Sequence, residues 1–167
     1  IGKRSLQNVI DRGKEGFFGF SFPWLACIAA RLGLGEQARK FLHEYVNVFI
    51  NINYFNVGYD YKGTGKGISG GKVLQIESVS AAAAAKNEML LQSVGEKIRV
   101  FPAISGRMTA KFSNLRTEGA FLVSSEIREG IVKCVIVKSL RGGKCSLINP
   151  FEGNKIRVKD LKSEMII

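Results

Sequence analysis

The sequence is poor in the residues that carry most recognisable chemistry. It has one histidine, His43, so neither a Cys–His pair nor a Ser–His–Asp set can be assembled convincingly. Its three cysteines, Cys27, Cys134 and Cys145, are too few and too scattered for a disulfide framework or a zinc site. Cys27 sits in an apolar helical pattern and reads as a buried thiol. Cys134 and Cys145 read as neighbours on a hairpin whose Gly142-Gly143 turn would not set them opposite each other, so reduced thiols are expected. No apolar run approaches the roughly 18 residues of a membrane span. The longest near-apolar stretch, residues 17–30, contains Pro23. No run of Lys or Arg exceeds two, although the net charge is +11. The basic residues alternate with apolar ones, so a solvated basic face is the first reading and a nucleic-acid surface the second. The chain opens on Ile1 and shows no charged start leading into an apolar run and a small-residue cleavage site. A mature or truncated product is expected.

What is present suffices for a folded protein. The 167 residues, 46% hydrophobic and 23% charged, allow one ordinary domain or two small ones with a real core. Charge divides unevenly near Glu96. Residues 1–96 hold 11 basic and 8 acidic side chains (net +3), and residues 97–167 hold 14 and 6 (net +8).

Hydrophobic period changes at the same place. Ser21 reads as an N-cap and Pro23 as a first-turn residue, with Trp24, Leu25, Ile28 and Leu32 at helical spacing. Gly33-Leu34-Gly35 breaks that helix. Ala38, Phe41, Leu42, Tyr45, Val46 and Phe49 then form a second amphipathic stripe, so the pair predicts an antiparallel helical hairpin. Asn51 to Gly71 is a long loop rich in Asn, Tyr and Gly, of the kind that often carries function. Lys72 to Ile76 reads as extended, and a third helix runs from Ser78 or Ser80 through five alanines to Gln92.

From Lys97 the period is two. Residues 97–101 alternate, as do stretches within 108–112 and 121–125, and 131–137 is a β-branched run. Turn signals recur at Ser105-Gly106, Glu129-Gly130, Gly142-Gly143 and Gly153-Asn154. The expected fold class is therefore α+β, a helical segment at 1–96 followed by a small antiparallel sandwich-like domain at 97–167.

Three features read as possible chemistry. Gly65-Lys66-Gly67-Ile68-Ser69-Gly70 matches the dinucleotide pattern GxGxxG, but it follows a polar loop and precedes an extended segment instead of opening a helix. His43 falls on a polar helix face with Glu36, Arg39, Lys40 and Asn47, which reads as surface. Glu77 ends the extended segment where the third helix begins. A carboxylate there is favoured by the helix N-terminus and suits holding a water in place. The plain alternative is a helix cap.

Leu74-Gln75-Ile76-Glu77, then Glu88-Met89-Leu90-Leu91-Gln92-Ser93 and Ile98 to Ile104 with its Phe101-Pro102-Ala103 turn, resemble the family 95 glycoside hydrolases. These are the α-L-fucosidase-like enzymes. Leu115-Arg116-Thr117-Glu118-Gly119-Ala120-Phe121-Leu122-Val123-Ser124 is similar to the start of their C-terminal β-domain, and Gly19 to Gly35 to a preceding helix pair. The resemblance implies the last helices of an (α/α)6 barrel followed by that β-domain. It also implies an inverting hydrolysis of glycans, without a cofactor or metal, and a secreted or periplasmic location. Glu77 takes the position of the aspartate that helps activate water, one methylene longer, and Ser78-Val79 replace the usual Gly-Asn. The family's general acid and asparagines belong to an upstream part of the polypeptide, so this chain alone is expected to be inactive. Tyr54, Phe55, Tyr59 and Tyr61 offer faces on which sugars stack, with Trp24, Tyr59 and Tyr61 as the expected substrate-binding residues. A carbohydrate-binding or assembly module without catalysis is the alternative.

Overall fold

A computed structural model of the chain describes residues 2–151, 159–161 and 164–166. The class is α+β: four helices followed by two small sheets. The chain divides into two compact units between Met89 and Leu90. Leu91 and Gln92, expected to end a helix, open a strand at 91–94 instead. The turn signal at Gly153-Asn154 lies outside the described residues.

The helical unit opens with α1 (Gly2–Asp11), which the sequence reading did not anticipate; Leu6 is buried, and Val9 and Ile10, three and four residues on, are half-buried. Helix α2 (Ser21–Arg31) begins one residue earlier than expected. Phe20, not Ser21, holds the capping position, and the Ser21 hydroxyl accepts the Phe18 N–H behind it at 3.1 Å. The helix closes in a Schellman turn. Gly33, at φ +72°, donates to Ala30 O, and Leu34 donates to Ala29 O.

The buried face of α2 differs from the expected one. Phe22, Leu25, Ala26, Ala29 and Ala30 are buried, Ile28 and Leu32 are half-buried, and Trp24 is exposed. Bulk pointed to Trp24, whereas close helix packing selected the alanines. Helix α3 (Gly35–Phe49) buries Ala38, Phe41, Tyr45 and Phe49 as expected, but adds Val48 and Glu44 and leaves Val46 outside. The ring of Phe22, near the start of α2, lies 5.4 Å from that of Phe49 at the end of α3, so the two helices run antiparallel. Glu44 is held by Lys14 Nζ at 2.6 and 2.8 Å, which offsets the cost of burying a carboxylate.

Helix α4 (Ile76–Leu90) returns alongside α2. Phe20 meets Gln75, Cys27 meets Ala81, and Arg31 meets Glu88, in the same order along both segments, so α4 is parallel to α2. Of its five alanines only Ala85 is fully buried. The expected extended segment at 72–76 contributes one bridge, Val57 to Leu74.

The second unit contains β1 (Leu91–Val94), β2 (Lys97–Val100), β3 (Ala110–Thr117), β4 (Phe121–Arg128), β5 (Ile131–Ser139), β6 (Ser146–Leu147), β7 (Lys159–Leu161) and β8 (Glu164–Ile166). One sheet has the order β1-β2-β6 and the other β3-β4-β5-β8-β7. Phe121, Val123 and Ile127 alternate inward along β4 and join Ile98, Val100, Phe112, Val135 and Val137 in one core drawn from both sheets. Two-residue turns at Gly95-Glu96 and Glu129-Gly130, all four residues at positive φ, match the twist of their hairpins. One pairing departs from the antiparallel expectation. Strand β6 leaves β5 after Gly142-Gly143 and lies parallel to β2 in the other sheet. Cys134 and Cys145 are therefore not hairpin neighbours, and all three cysteines are free thiols.

Candidate functional site

The starts of α2 and α4 and the end of α3 gather at one end of the helical unit, and Gln75 joins them. Its Oε1 accepts the Phe20 N–H at 3.0 Å and the Ser78 hydroxyl at 2.8 Å. Its backbone pairs with Asn56: Asn56 Nδ2 donates to Gln75 O at 2.5 Å, and the Gln75 N–H donates to Asn56 O at 3.4 Å. Gly19 is packed against this node. A Cβ there would come within 2.9 Å of Gln75 Oε1 and 2.7 Å of Val57 O, so a side chain would push the two segments apart.

Glu77 follows Gln75 by two residues and lies in the first turn of α4, inside the helix and not at its cap. Its side chain is exposed and makes no hydrogen bond or ion pair among the described residues. The residues on both sides of it are engaged, since Gln75 and Ser78 are bonded to each other and Ser78 is fully buried. The result is a free carboxylate on a braced backbone, able to accept a hydrogen bond from water or a hydroxyl.

The expected sugar-stacking residues differ in availability. Trp24, in the first turns of α2, is 47% exposed. Tyr59 is half-buried, with its ring 5.4 Å from that of Phe18, and a Cβ on Gly70 would lie 2.5 Å from it. The Tyr61 hydroxyl donates to Asn51 Oδ1 at 3.2 Å, and its ring is flanked by the ammonium groups of Lys62 and Lys72 at 5.5 and 5.1 Å. Lys62 also donates to Asn47 O and Ile50 O, supplying a cation to a helix end that has no basic residue of its own. Tyr61 thus belongs to the end of α3, whereas Trp24 and Glu77 stand on helix starts joined through Gln75. The sequence reading missed Gln75 and Asn56. A glutamine three residues ahead of a serine at a helix start was the available signal.

The neighbouring loop has its own organiser. Asp60 is buried, and its Oδ2 accepts the Thr64 hydroxyl at 3.0 Å and the Lys66 N–H at 3.3 Å. Burial raises the Asp60 pKa, but hydrogen bonds from Thr64, Lys66 and Gly65 outweigh it and hold the carboxyl below its ordinary value. The GxGxxG glycines serve this loop. Gly65 has φ +69°, and a Cβ on Gly67 would meet Phe17 O at 2.7 Å and the Phe49 ring at 2.8 Å. No helix opens directly after them, so the dinucleotide geometry is absent.

The remaining titratable groups are tied into the fold. His43 is exposed and bonded to Asn47. The Tyr45 hydroxyl is buried without a partner, and burial pushes its pKa up to about 12. Cys27, half-buried and donating to Ala81 O, is raised by burial and by the Glu88 charge against a smaller pull from Arg31, which makes it a poor nucleophile. Among the described residues no three His, Cys, Asp or Glu side chains gather to hold a metal ion, and no helix is long and apolar enough to cross a membrane. No protein-family model matches the sequence, and no curated protein matches it.

Proposed function

We propose that this chain is the C-terminal portion of an α-L-fucosidase-like glycoside hydrolase acting on glycans. The observation that supports this reading is the order of the helices. Helix α2 runs out, α3 returns, and α4 lies parallel to α2, an order that the helix hairpins of an (α/α)6 barrel would also give. With the resemblance of Leu74–Glu77 and Glu88–Ser93 to family 95, the unit reads as the end of that barrel.

In this reading Glu77 acts on the attacking water. An inverting hydrolase protonates the leaving oxygen with one carboxylic acid. On the opposite face of the sugar, a second polar set deprotonates water, with room left for that water between them. A free carboxylate on a braced helix start can accept the water's hydrogen bond and hold its lone pair toward the anomeric carbon. The general acid comes from an upstream part of the polypeptide, and the extra methylene of Glu77 shifts the carboxylate by about an ångström, enough to alter rate on the order of a hundredfold.

Two measurements on the native polypeptide test the proposal: its mass, and its turnover of aryl α-L-fucosides and galactosides. The expected result is a mass several times 18.3 kDa, with turnover that falls at least about a hundredfold in Glu77→Gln at unchanged thermal midpoint. A native mass near 18.3 kDa without turnover would sink the hydrolase reading. It would leave a sugar-binding module, which the exposed Tyr54 and Phe55 favour as the second reading.

A further inference from the structure

Of the four loop aromatics, Tyr59 and Tyr61 are engaged by the fold and two are not. Tyr54 is 88% exposed and Phe55 59%, and neither ring has an aromatic or cationic neighbour among the described residues. They sit on a tight turn. The Asn51 N–H donates to Phe55 O at 2.8 Å, the Tyr54 N–H donates to Asn51 O at 2.9 Å, and Asn51 Oδ1 accepts the Ile52 N–H at 2.7 Å. Phe55 borders an open depression of about 280 Å³, together with Asn51, Asn53, Asn56, Lys72 and Leu74.

The polar groups of this depression are incompletely used. Asn56 is 1% exposed, and its Oδ1 has no hydrogen-bond partner. The side-chain nitrogens of Asn51 and Asn53 donate no hydrogen bond among the described residues, although the Asn51 oxygen accepts two and the Asn53 oxygen one. Lys72 Nζ rests over the Tyr61 ring and donates no hydrogen bond among the described residues. An exposed aromatic face edged by free N–H donors suits a ligand with an apolar C–H face edged by hydroxyl groups.

We infer that this depression is a binding subsite for a glycosyl unit. Phe55 stacks on the C–H face of the ring, and Asn51, Asn53 and Lys72 donate to its oxygens. The choice of a sugar over other hydroxylated ligands rests on the hydrolase reading, and the subsite is independent of Glu77 chemistry.

The test is a titration of the full 167-residue chain with L-fucose, D-galactose and D-galacturonate, followed by ¹H–¹⁵N NMR. At least one sugar is expected to saturate in the millimolar range, shifting the side-chain amides of Asn51, Asn53 and Asn56 with the backbone at 51–56 and 72–74. Phe55→Ala, at an exposed position that does not bear on folding, should weaken binding about fivefold or more. Lys72→Gln should weaken it less, and added salt should leave the affinity for the two neutral sugars unchanged. Absence of saturable shifts with all three sugars up to about 50 mM, or binding indifferent to Phe55→Ala, overturns the proposal. Failure here with turnover in the native polypeptide removes only the subsite. Binding here without turnover there removes only the hydrolase.

Discussion

The two units are ordered by different interiors. In the β unit the buried positions follow strand alternation, and its buried Thr117 and Ser125 donate to carbonyls of the adjoining strand. In the helical unit, Asn56, Asp60 and Ser78 are buried where the chain has no regular structure or is just entering it. They tie down residues 50–75, which no hydrophobic period could order. A sheet satisfies its backbone by repetition. A long loop must satisfy it with specific side chains, and those side chains leave two buried acceptors, Asn56 Oδ1 and Asp60 Oδ1, without a partner.

The comparison is broken most strongly in the apolar cores. Phe22→Ala and Phe121→Ala remove fully or nearly fully buried rings, and each is expected to cost about 3–5 kcal/mol. Trp24 is the only tryptophan, so its fluorescence in a urea melt follows the helical unit, and circular dichroism follows both. If Phe22→Ala left the fluorescence transition in place, the helical interior would be misassigned.

Next comes the polar node. Gln75→Leu strands the Phe20 N–H and the Ser78 hydroxyl and should cost roughly 2–3 kcal/mol. Ser125→Ala, which removes one bond to Cys134 O, should cost about 1 kcal/mol. Equal urea midpoints for the two variants would contradict the distinction between node and strand.

The acid limb of stability sharpens it further. The Asp60 pKa is lowered in the folded state, so its contribution is complete above the unfolded value of about 4 and is lost as pH falls through the folded value. Asp60→Asn should flatten this part of a stability-versus-pH curve and cost about 1 kcal/mol at pH 7.

The smallest effect is a gain. Tyr45 carries a buried hydroxyl without a partner, and Tyr45→Phe should add up to about 1 kcal/mol. The same change acts at high pH with the opposite sign to Asp60. The neutral phenol is favoured on folding, so stability falls as pH rises from about 10, the unfolded value, toward the folded value of about 12. In the variant that alkaline loss should disappear.

Much of the element plan was legible from sequence. The α2–α3 hairpin and its glycine stop, the Glu129-Gly130 turn and the strands at 97, 121 and 131 follow from period and turn residues that act over a few positions. Faces were less legible. Trp24 carried the bulk expected of a core residue, yet Ala26, Ala29 and Ala30 form the contact because they let a neighbouring helix approach. The end of α4 was misread because Leu91 and Gln92 suit a helix or a strand, and pairing with Val100 and Arg99 chose the strand.

By itself the sequence determined α2, α3 and most of α4, the strands at 97, 121 and 131, the α+β class, and Glu77 as a carboxylate at a helix start, because periodicity and turn chemistry are local. Only the tertiary structure decided that α4 lies parallel to α2, that β6 joins the other sheet, and that Gln75 braces the start of both helices. It also sorted the loop aromatics, sending Tyr59 and Tyr61 into the fold and leaving Tyr54 and Phe55 free. Those outcomes depend on contacts between residues distant in the chain, where a side chain's fate is set by which neighbour reaches it.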